Sequence, residues 1–130
     1  MIMANWDELD LGELAAGWMR ELSEGKQSNG EDVGLRIAEM NFFASADVQW
    51  RFLLEAVACA HNDDQLGHIA AGPLEHLLGH HGDRYIDLVE EKSSADPIFA
   101  RMTTGAWQNQ MSEDVWARLQ RIQIGVANPI

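Results

Sequence analysis

In the stretch SADVQWRFLLEAVACAHND the apolar residues Trp50, Leu53, Leu54, Val57 and Ala58 recur at i, i+3, i+4, i+7 and i+8, the spacing of one buried face on a helix. Ser45 stands where its hydroxyl can accept a free backbone N–H of the first turn. Upstream, Leu11, Leu14, Ala15, Trp18 and Leu22 trace another stripe, with Asp10 as N-cap and Glu13 three residues on, a capping-box order. Gly25 is the expected stop and KQSNG the loop, after which Val33, Ile37, Met40 and Phe43 or Phe42 resume the pattern.

The segment NDDQLGHIAAGPLEHLLGHHG opens on acidic capping residues and closes on His-His-Gly, the chemistry of a carboxyl-terminal dipole end followed by a left-handed glycine. Pro73 predicts a break or sharp kink, with Glu75 in the first turn after it, its carboxylate near unpaired N–H groups. Beyond Gly82, Tyr85, Ile86 and Val89 mark a further helix. Asp96 and Pro97 then start one that buries Phe99 and Met102, and Gly105 ends it with Trp107 tucked onto the core. Ser112 caps a last helix carrying Val115, Trp116, Leu119 and Ile122, and the tail GVANPI is expected to fray.

No strand-like alternation competes with these elements. The expected fold is all-α, a compact bundle of about six to seven short helices. Stacked helical hairpins are a possible variant, although no internal repeat enforces them. A chain of 130 residues reads as one domain, residues 1–130, with residues 1–9 and 124–130 peripheral.

Charge changes the picture more than composition does. The formal net charge is −12, and it is uneven: residues 1–65 hold 13 Asp and Glu against 4 Lys and Arg, and residues 66–130 hold 8 against 5. Such a balance disfavours direct contact with nucleic acid or an anionic membrane and suits a basic protein partner. The single cysteine, Cys59, excludes an internal disulfide, and the start of the chain has no basic-then-apolar leader, so a reducing, cytoplasmic location is expected.

Candidate chemistry is sparse. His76 and His80 are four residues apart and share a helix face, a spacing that suits two zinc ligands. In EHLLGH, however, Glu75 precedes His76 instead of following it, so the general-base arrangement of a zinc protease is not met. No metal and no cofactor is therefore expected, with His76 and His80 the candidates if there is one; helix capping accounts for His80 and His81 equally well. Cys59 reads as a small packed side chain, and the glycines form no phosphate cradle. Of the five tryptophans, Trp6 alone stands outside a helical stripe, flanked by Asp7, Glu8 and Asp10, so it is either core or an aromatic anchor in an acidic patch.

The run Gly72-Pro73-Leu74-Glu75, then Leu77-Leu78 and His81-Gly82, then Asp96-Pro97 with Phe99, then Gly105 and Trp107, with Trp50 upstream, resembles a family of small all-α bacterial proteins of unknown function. The resemblance spans roughly residues 45–120, implies a helical fold and supplies no catalytic residue. In profile the chain is also similar to bacterial immunity proteins, small acidic proteins that block a toxin by binding it. That likeness implies a non-enzymatic interaction protein with a basic toxin or effector as partner. The candidate contacts are Trp6, Asp7, Glu8, Asp10, Glu13, Glu31, Asp32, Asp63 and Asp64. The alternatives are a metal-binding or hydrolytic protein using Glu75, His76, His80 and His81, and a scaffold subunit whose acidity serves solubility.

Overall fold

The structure, a computed structural model, describes residues 6, 8–25 and 32–130. Every regular element among them is helical: α1 (Leu11–Glu24), α2 (Val33–Phe43), α3 (Ala46–Cys59), α4 (Asp63–Ile69), α5 (Glu75–Ala95), α6 (Pro97–Thr103) and α7 (Glu113–Ile124), with a π-helical turn, Ala70–Leu74, joining α4 to α5. The chain is thus all-α, as its apolar periodicity predicts. It divides into two compact units, residues 1–60 and 61–130.

In the first unit, α1 packs on α3 and α2 joins α1. Asp10, Asp32 and Ser45 cap the three helices, each accepting a backbone N–H three residues on. Gly25 ends α1 at φ +83°, a left-handed value that glycine adopts without steric penalty. Trp18 and Phe52 meet with ring centroids 6.0 Å apart.

The buried face of α3 is rotated from the predicted one. Val48, Gln49, Phe52, Leu53, Ala56 and Val57 are buried, whereas Trp50 and Leu54 are half-buried and Ala58 is exposed. The residues 49, 52, 53, 56 and 57 have the same helical spacing as the predicted set, but Gln49 hides that register in the sequence. Its amide becomes tolerable inside because Nε2 donates to the Ala44 carbonyl at 3.1 Å. Phe42 and Phe43, expected to face inward, are both exposed, so α2 buries only Ile37 and Met40.

In the second unit, Asn62 caps α4 through Gln65 N, placing Asp63 and Asp64 in the first turn rather than at the cap. The helical path does not break at Pro73. Proline lacks an N–H and crowds the carbonyl four residues back, and the wider π turn removes both problems, with Glu75 N–H donating to the Ala70 carbonyl five residues back. Glu75 consequently lies in continuous helix and not in a first turn with unpaired N–H groups. The interruption falls later, at His81, whose φ of −136° and ψ of 25° depart from helical values inside α5. Helix continues on both sides of it, so His80, His81 and Gly82 are a kink and not a terminus.

Gly82 is needed for a different reason from the one its position suggests. Among the described glycines only Gly25 has positive φ, so Gly82 is no left-handed cap. A Cβ added there would sit 2.9 Å from Cγ2 and 3.1 Å from Cγ1 of Val115, because α7 packs directly against the α5 backbone. Around that contact Leu74, Leu77, Leu78, Ile86, Val89, Phe99, Met102 and Leu119 form the core of the unit. The tail is exposed but held, against the expected fraying: Arg101 Nε donates to the Asn128 carbonyl and Ile130 N to Thr104 Oγ1.

Gly82→Ala should destabilise the protein by about 1–3 kcal/mol through overpacking. In urea unfolding, the Gly82→Ala/Val115→Ala pair should lose less than the sum of the two single changes. Strict additivity would show that the close approach is not what constrains residue 82.

Candidate interaction surface

The loop between α6 and α7, residues 104–112, is fixed by bonds from both flanking sides. Glu75, buried in α5, accepts the backbone N–H of Trp107 on Oε2 at 3.0 Å and the side-chain amide of Asn109 on Oε1 at 3.3 Å. From α7, Gln123 Nε2 donates to the carbonyls of Thr103 and Ala106 at 2.9 and 3.0 Å. Gln108 Nε2 donates to the Met111 carbonyl and to Glu113. Ala106 and Met111 are buried beneath, and Asn109 takes φ +47°, a left-handed value that asparagine tolerates better than most residues.

What this loop displays is Trp107, 75% exposed. Burial of its indole on the core, the expectation from its place after Gly105, does not occur. Its backbone is drawn to Glu75, so Ala106 turns inward and Trp107 outward. The sequence carries a signal for this: Trp107 follows the Gly105 stop and precedes the polar run Gln108-Asn109-Gln110, so Trp6 is not alone in standing outside a helical stripe. Trp6 itself is half-buried, as are Trp50 and Trp116, while Trp18 is buried.

The predicted acidic contacts separate into different jobs. Asp7 and Glu31 lie outside the described residues. Asp10 and Asp32 have carboxylates committed to helix caps, on Glu13 N and Leu35 N. Glu8 and Glu13 are exposed and form no ion pair among the described residues. Asp10 and Glu13 line a surface cavity of about 260 Å³ together with Arg20 and Arg36, so cations share that patch. Asp63 and Asp64 belong to the second unit. Asp63 is held by both terminal nitrogens of Arg101, and that hydrogen bonding lowers its pKa below the usual aspartate value. Asp64 lies 3.8 Å from His68.

The histidines are partly brought together. The rings of His76 and His80 lie 4.3 Å apart between centroids, so the shared face read from their spacing is real. Among the described residues, no group of three or more His, Cys, Asp or Glu is arranged to hold a metal ion. Both oxygens of Glu75 accept from the α6–α7 loop, on Trp107 N and the Asn109 amide. Cys59, at the end of α3 and half-buried, has its thiol pKa raised by burial and by Glu55, which disfavours the thiolate. Burial pushes the His81 pKa below 6.5, with His80 and Arg84 adding to the shift.

Two outcomes follow. Glu75→Ala leaves the Trp107 N–H and the Asn109 amide without their acceptor and should lower stability by about 1–3 kcal/mol in urea unfolding. Because folded His81 binds its proton less tightly than the unfolded chain does, its contribution is fully present above about pH 6.5 and falls as the pH drops below that value. Stability measured between about pH 7.5 and about pH 5.5 should therefore decline with acid less steeply in His81→Gln than in the parent; equal slopes would remove His81 as a cause.

None of the helices among the described residues is long and apolar enough to cross a membrane. No curated protein and no solved structure matches the sequence. A family model does, over residues 23–127, a wider span than the motif resemblance and one that includes α2 and α3 of the first unit. The chain belongs to that family, which is described as a family of unknown function (DUF6869).

Proposed function

We propose that this chain is a non-enzymatic interaction protein, a bacterial immunity protein that neutralises a basic toxin or effector domain by direct contact in the cytoplasm. The observation that carries the reading is Trp107, an exposed indole on a loop fixed from both sides. An exposed tryptophan forgoes the burial that its large apolar surface would otherwise gain. Tryptophan is also among the residues that most often dominate binding energy, and a fixed loop has little conformational entropy left to lose when it docks.

The net charge of −12 adds direction. A negative surface accelerates encounter with a positive one and repels other acidic proteins. Glu8 and Glu13 in the first unit, and Glu113 and Asp114 beside the Trp107 loop, are exposed acids available for that role. This changes the contact residues expected from the sequence: Trp107 of the second unit is added, Trp6 of the first is kept, and Asp10, Asp32 and Asp63 have structural duties first.

Co-expression with the toxin encoded beside this chain should restore growth, and the purified complex should weaken as salt is raised. Trp107→Ala should keep its melting temperature but bind the toxin about 30-fold more weakly, the effect of losing about 2 kcal/mol at a hot spot. Absence of both rescue and a complex overturns the reading. A complex indifferent to Glu8→Lys/Glu13→Lys and to salt would assign those acids to solubility alone.

A further inference from the structure

An open groove of about 430 Å³ runs between the kinked part of α5 and the start of α7, with His80, His81, Arg84, Gln110 and Ser112 on its walls. Two glycines set its shape. A Cβ on Gly79 would meet Gln110 Cβ at 3.2 Å and one on Gly82 would meet Val115, so the loop and α7 close down on bare α5 backbone. The kink at His81 lies between those two contacts.

The groove carries one arginine that no carboxylate holds. In the same unit Lys92 pairs with Asp96, Arg101 with Asp63, and Arg118 with Asp87 and Glu90, while Arg121 lies close enough to Glu90 to help lower its pKa. Arg84 has no such carboxylate among the described residues; its guanidinium lies over the Tyr85 ring, 5.7 Å from the centroid. Burial, and after it His80 and Arg84, lower the pKa of His81 on this wall.

The groove also offers neutral donors. Gln110 is exposed and presents a side-chain amide, and Ser112 Oγ accepts from Val115 N, which leaves its hydroxyl proton to donate outward. The opposing charges are Asp83 on the wall and Glu113 and Asp114 in the first turn of α7.

We propose that this groove is a binding site for a small oxyanion, a phosphate-like or carboxylate group, with Arg84 as its fixed charge and His80, His81, Gln110 and Ser112 as further donors. A guanidinium is suited to this because it is always charged and presents paired N–H groups to two oxygens at once. His81 gives the site a pH dependence: its protonation, displaced to lower pH by burial and by His80 and Arg84, adds a positive charge to the groove in acid, opposite Asp83, Glu113 and Asp114.

Inorganic sulfate is the probe, because it stays doubly charged across the neutral range. It is titrated into the isotope-labelled chain, with chloride holding ionic strength constant, and followed by amide correlation spectra. The expected result is saturable shifts confined to residues 79–84 and 110–112, with tighter binding at about pH 6 than at about pH 8. Arg84→Ala, a change at an exposed side chain, should weaken binding about tenfold, and Arg84→Lys less. Phosphate and acetate, titrated in the same way, separate a phosphoryl ligand from a carboxylate one. Shifts that never saturate, shifts spread over all helices, or unchanged affinity in a folded Arg84→Ala variant would overturn the proposal.

Discussion

The arrangement of the second unit depends on a buried carboxylate. Glu75 is only 8% exposed, and a carboxylate so placed is costly unless donors replace the water it loses. The donors come from the α6–α7 loop, which is thereby held against α5. The first unit uses the same device: Glu21, also 8% exposed, leaves α1 to accept Val33 N at 2.7 Å and Gly34 N at 2.9 Å, fixing the start of α2. Glu21 satisfies two backbone N–H groups and Glu75 one backbone N–H and one side-chain amide, and charge-assisted bonds of this kind are about twice as strong as neutral ones.

Holding the loop has consequences on both of its sides. Toward the core it turns Ala106 and Met111 inward and lets Gln123 collect the carbonyls at the end of α6. Toward solvent it presents Trp107 in one position. The approach of loop and α7 to α5 requires glycine at 79 and 82, and the absence of those side chains opens the groove lined by Arg84 and the two histidines. The Trp107 surface and the groove are therefore products of one packing arrangement, and both would be altered by losing the Glu75 contact.

Local features of the fold were legible in the sequence, and tertiary ones were not. Asp10, Ser45, Asp96, Ser112 and Gly25 act at the helix ends where their chemistry places them, because capping is settled within a few residues. The register of α3 was not legible, since whether Gln49 or Trp50 faces inward depends on a carbonyl at Ala44 that only the folded chain brings within reach. Pro73 predicts a break because a π turn has no sequence signature of its own. Glu75 fitted a first-turn capping role so well that its actual partners, more than thirty residues downstream, gave no hint of themselves. Trp107 is legible in principle: the polar residues that follow it argue for exposure, whereas its place directly after the Gly105 stop suggests a side chain folded back onto the core.

The acidic residues show why net charge alone is a poor map of an interface. A carboxylate that caps a helix keeps its charge, so Asp10 still contributes to the field a distant partner senses, yet reversing it would unseat a helix start and mix stability with affinity. One that is paired, such as Asp63 with Arg101, contributes little at a distance because its partner cancels it. Exposed acids without an ion pair among the described residues, such as Glu8, Glu13, Glu39, Glu55, Glu91 and Asp114, remain fully effective. Long-range attraction therefore belongs to this dispersed third set, which can hasten encounter but fixes no orientation. Orientation has to come from a group that is held in place and uncovered, and the fold supplies that at Trp107.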